Sequence, residues 1–141
     1  MRTQRTIRLL FIGAALYDGL LGALFLFASD APFRWFGVTP PNHPGFVQFP
    51  AALLIVFSIM FAAIAVNPVG NRNLILYGVL LKLSYCGVAA YHWATAGIPN
   101  MWKPFCIFDV AFLFLFVWAW NTLRKPSANS APTGASRAQP G

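Results

Sequence analysis

The chain has 141 residues, of which 58% are hydrophobic and only 9% charged, and its mean hydropathy is +0.63. Soluble domains carry roughly 25% charged residues, so a water-facing globular surface is excluded. The net charge of +7 does not point to nucleic acid, because the basic residues sit at the termini and loops beside apolar stretches.

Residues 1–8, MRTQRTIR, form a basic segment with Arg2, Arg5 and Arg8 and no acid, and residues 9–28 then run apolar. This imitates a secretory signal, but a signal core has roughly 7–15 apolar residues and Asp18 interrupts the middle of this longer run. A retained first span is expected. Small residues recur at Ala14, Asp18 and Gly22, so the face bearing the aspartate also permits close helix approach.

The prolines and glycines of residues 29–45 predict a loop that no helix continues through, with Phe33, Trp35 and Phe36 around Arg34 at headgroup level. Residues 46–66 read as the second span, with Pro50 tolerated near the first turn, where N–H groups lack intrahelical acceptors. Pro68 and Gly70 end that helix, and Asn73 is placed to cap the next. The third span is expected over residues 74–96 and the fourth over residues 102–123. Residues 124–141 lack large apolar side chains and read as a disordered cytoplasmic tail.

An even number of spans puts both termini on one side. That side carries Arg2, Arg5, Arg8, Arg72, Arg124, Lys125 and Arg137, and the other only Arg34 and Lys103. The expected architecture is therefore a single-domain, all-α integral membrane four-helix bundle, N-in and C-in.

The third span holds a lysine near its middle. On a helix, Gly78, Lys82, Tyr85, Cys86, Ala89 and His92 share one face, whereas Leu76, Leu80 and Leu83 lie elsewhere. A lipid-facing ammonium at mid-bilayer costs at least about 2.5–3.5 kcal/mol, so this face should turn toward protein. Counting about 1.5 Å per residue from the outer helix ends places Asp18 roughly 15 Å deep, Lys82 roughly 21 Å, Tyr85 roughly 16 Å, Asp109 roughly 10 Å and His92 roughly 6 Å. Lys82 is then expected to reach Asp18, with Tyr85 as a hydroxyl partner and Asp109 and His92 continuing toward the outside. Such a set is a candidate for binding a small ligand or relaying protons, or a structural ion pair fixing helix register.

The same count places Cys86 roughly 15 Å and Cys106 roughly 6 Å deep, too far apart for a disulfide. Lys103 is expected either to extend to the surface or to pair with Asp109. Tyr91, Trp93, Trp102, Trp118 and Trp120 read as an aromatic belt. His92 lacks a spaced histidine partner, so no metal site is expected. No phosphate loop or nucleophile elbow is present, and neither an enzyme nor a cofactor is expected, although a lipid-acting enzyme stays open. Two echoes recur: Pro41-Asn42 before the second span and Pro99-Asn100 before the fourth, and Tyr17-Asp18 and Phe108-Asp109 within the first and fourth.

Over residues 7–123, the stretches LYDGLLGALFLF, PPNHPGFVQFP, NRNLILYGVLLKLSYCGV with AAYHW, and WKPFCIFDVAFLFLFVWAW resemble the small bacterial four-helix membrane proteins of the DoxX-like families. The resemblance implies an inner-membrane protein, in some relatives an accessory subunit of a membrane redox complex, and it carries no functional residue across. The expected partners are the lipid bilayer and either a larger membrane complex or a second copy of the chain.

Overall fold

A computed structural model describes residues 2–123. The expected tail, with Arg124, Lys125 and Arg137, lies outside the described residues. The described chain is all-helical: α1 (Arg2–Phe27), α2 (Asp30–Phe36), α3 (Gly45–Val66), α4 (Arg72–Thr95) and α5 (Trp102–Thr122). All but α2 are long and apolar enough to cross a membrane.

Each long helix buries one narrow stripe. On α1 it runs Ile7, Phe11, Ala14, Asp18, Gly22, Phe25, and on α4 Ile75, Gly78, Lys82, Cys86, Ala89, alternating steps of three and four that keep one face inward. The remaining faces are apolar and exposed, as at Leu20, Ile59, Leu83 and Phe114. α3 packs along α1 and α5 along α4. The first contact is close because Gly22 has no side chain: a Cβ there would lie 2.8 Å from the Ala51 carbonyl oxygen. Ser58 Oγ donates to the Ala15 carbonyl at 2.7 Å, a polar tie across the same seam. The two pairs meet in an aromatic knot, with Phe11 stacked on Phe116 at 4.8 Å and Phe61 5.1 Å from Phe116. Gly78 leaves the room these rings occupy.

Side chains cap the helix ends. Arg8 Nη2 donates to the carbonyl of Val66, the last residue of α3, at 3.3 Å, and Arg72 Nε to the Trp120 carbonyl in the last turn of α5 at 3.1 Å. Both place a cation at the negative end of a helix dipole. The Arg72 guanidinium also lies 3.7 Å from the Trp120 ring centre, so that indole helps hold the capping residue. Gln48 Nε2 donates to the Leu26 carbonyl at the opposite end.

Several local expectations need correction. Residues 2–8 belong to α1 rather than to a separate segment, and Ile7 is fully buried. Residues 30–36 form a helix, not a loop, because Pro32 falls in its first turn, where a missing N–H removes no bond. Gly37, at φ 63°, closes that helix, with Val38 N–H donating to the Phe33 carbonyl at 2.9 Å. Pro50 lies inside α3, which starts at Gly45, so the Phe46 carbonyl receives no N–H from it. Asn73 lies within α4 rather than capping it. At that turn the Gly70 N–H donates to Asn67 Oδ1 and Asn71 Nδ2 donates to the Ala63 carbonyl.

Candidate functional site

α1, α4 and α5 each bring one charged side chain to the middle of the bundle. Lys82 Nζ donates to Asp18 Oδ1 at 2.7 Å and to Oδ2 at 3.0 Å, and lies 2.9 Å from Asp109 Oδ1. The third contact is an ion pair that joins Asp109 to the same ammonium. Asp18 is 0% exposed, Lys82 1% and Asp109 8%. The rings of Tyr17 and Phe112 flank the ammonium with centres at 5.3 and 5.6 Å, turning their electron-rich systems toward the cation.

Toward the termini the cluster is sealed. Ile7, Phe11, Phe61, Ile64, Ile75 and Phe116 are all fully buried there, with no polar side chain among them. Toward the loops it opens into a cavity of about 620 Å³, within the range of small-molecule sites. Leu21, Phe25, Leu54, Phe57, Trp102 and Phe105 form apolar walls, and the exposed loop residues Thr39, Pro41 and Pro99 line the outer end. Asp18, Lys82 and Asp109 are the charged groups of its lining. The site is a greasy chamber with an ionic floor.

Of the five residues singled out from the sequence, three meet directly and a fourth stands beside them. Tyr85 lines the cavity, and its hydroxyl is 3.4 Å from the Trp102 carbonyl rather than on Lys82. His92 is exposed and apart from the cluster. The depth ladder that placed it in line assumed that α4 and α5 end level on the loop side. The ion pair instead sets Lys82 level with Asp109, so Trp102 stands opposite Ala89 and the last six residues of α4 project about 9 Å further. Residues 90–97 are accordingly exposed.

The same shift corrects the cysteines: Cys86 Sγ lies 4.0 Å from the Cys106 carbonyl oxygen, so they are neighbours, both buried and both free thiols. Lys103 takes the surface option, with Nζ donating to Asn100 Oδ1 at 2.7 Å. Trp102 is no belt residue; it stacks on Phe25 at 5.8 Å beneath Phe33 and walls the cavity.

Compared with models of protein families, with characterised proteins and with solved structures, the chain matches none. The site must therefore be read from its own chemistry.

Tyr17 is the residue that sequence reasoning passes over. Its hydroxyl is buried without a hydrogen-bond partner, and its ring packs 6.0 Å from Phe108 and 5.4 Å from Phe112. The signal was the aromatic–aspartate echo: Tyr17-Asp18 and Phe108-Asp109 bring both aspartates onto Lys82 and their rings to within 6.0 Å of each other. The second echo also has a structural counterpart, since Pro41 and Pro99 both line the cavity.

Proposed function

We propose that the chain is a multi-pass inner-membrane protein that binds a small lipophilic molecule in the cavity above Lys82. The exposed apolar faces of four long helices support a bilayer setting. The excess of basic residues at the end holding both termini supports an N-in, C-in orientation with the cavity facing outward.

One observation carries the binding reading: the cavity is apolar along its walls and charged only at its buried floor. That arrangement suits a ligand with a hydrocarbon body and one polar end, which slides in from the headgroup level and meets the ion cluster last. Binding is preferred to a transmembrane proton relay because the buried aromatic knot beyond Lys82 provides no polar groups for a proton to follow. An accessory-subunit role leaves the cavity without a use.

The test uses the full chain in mild detergent and the neutral fluorophore 1-aminoanthracene, which brightens in apolar sites. Saturable binding is expected. Val47→Trp, which fills the cavity from its wall, should weaken it by at least about tenfold, or about 1.4 kcal/mol, while Leu20→Trp on the outer face should leave it unchanged. Absence of saturable binding, or equal binding by both variants, would overturn the proposal.

A further inference from the structure

The floor of the cavity is not electrically balanced. Two carboxylates face one ammonium, which donates to both oxygens of Asp18. Asp109 meets the same ammonium through Oδ1 at 2.9 Å, and its side chain borders the cavity. Among the described residues no further cation lines the chamber, so with both acids ionised the floor carries one excess negative charge in apolar surroundings. Such a charge is costly until something neutralises it or donates to it.

We infer that the ligand's polar end is a hydrogen-bond-donating cation, an ammonium on an apolar chain, and that Asp109 is the group it docks on. This rests on the binding reading above. An amine head entering past Trp102 and Phe105 supplies the missing positive charge and donates to the Asp109 carboxylate, and charge-assisted hydrogen bonds are about twice as strong as neutral ones. An alcohol supplies the donor without the charge. A carboxylate or phosphate head meets two like charges and is repelled.

Displacement of 1-aminoanthracene by decylamine, decan-1-ol and decanoate separates these heads on one chain length. Each potency is read as the ratio between the native protein and Asp109→Asn, so that partition into the micelle cancels. Lys82 and Asp18 remain a balanced pair in that variant, its unfolding profile in mixed micelles reports that it is folded, and each potency is corrected for the fluorophore's own affinity for that protein.

Decylamine should lose about tenfold or more in potency on Asp109→Asn, decan-1-ol less than about twofold, and decanoate should gain. Equal ratios for amine and alcohol, or decanoate as the strongest competitor for the native protein, would overturn the inference while leaving the cavity's ligand binding intact. Loss of fluorophore binding by the native protein would instead remove the reading beneath it. Lysophosphatidylethanolamine, which carries the same ammonium beyond a phosphate, separates the two sources. Stronger displacement by it than by decylamine makes a membrane lipid the source; weaker displacement makes it a free amine.

Discussion

Lys82→Met is expected to destabilise the protein by about 3–5 kcal/mol, the range for breaking a buried ion pair from one side. The ammonium lies within 3.0 Å of both carboxylates, and without it two like charges remain in a space closed to water on one side and lined by hydrocarbon on the other. Asp18→Asn should also be costly, since it removes the charge and one of the two oxygens to which Lys82 donates and sets an NH2 group against the ammonium. Asp109→Asn should cost no more than about 1 kcal/mol, because it removes the excess charge and leaves a one-to-one pair. Lys82→Met combined with both aspartate substitutions should recover much of the loss, a non-additivity typical of groups in one network. Reversible unfolding of each variant in mixed micelles reads the whole set. If Lys82→Met unfolds with the native profile, the three charges do not meet.

Gly22→Leu is expected to cost a further large amount, about 3 kcal/mol or more, at the upper end of the range for overpacking. A Cβ at this position would stand 2.8 Å from the Ala51 carbonyl oxygen, 2.9 Å from Ile55 Cγ1 and 3.1 Å from Leu54 Cβ. The first neighbour is backbone and cannot rotate away, so α1 and α3 must part, stretching the Ser58 to Ala15 hydrogen bond. Gly13→Ala on the same helix has nothing within 4 Å of its new Cβ. That change should be neutral or stabilising by up to about 1 kcal/mol, the propensity difference between the two residues. Equal thermal shifts for the two substitutions would contradict the close α1–α3 packing.

The helices and their inward faces were legible because hydropathy and small-residue spacing report one helix at a time. The stripe Gly78, Lys82, Cys86, Ala89 on α4 and the small face around Asp18 follow from the 3.6-residue period and the cost of an exposed ammonium in lipid. The vertical register between antiparallel helices is a different quantity. It depends on where the 96–101 connection turns back, which composition does not encode, so Asp109 was placed too far from Lys82 and His92 was drawn into a line it does not join. One misjudged helix end moved Cys86, Cys106, Tyr85 and Asp109 together. The cavity was illegible for a related reason: Phe33 and Trp102 look like interfacial aromatics in sequence and become walls only through α2, whose Pro32 disguises a helix start as a helix break.

Thiol accessibility tests most directly that the ion cluster floors an open chamber sealed on its far side. In a Cys86→Ala, Cys106→Ala background, Leu54→Cys places a single thiol on the cavity wall and Ile64→Cys a single thiol in the sealed end. N-ethylmaleimide applied to native membranes should label the Leu54→Cys variant and leave the Ile64→Cys variant unlabelled until it is unfolded. Equal protection of both thiols would mean that no open chamber exists, and equal labelling would mean that the bundle is not sealed beyond Lys82.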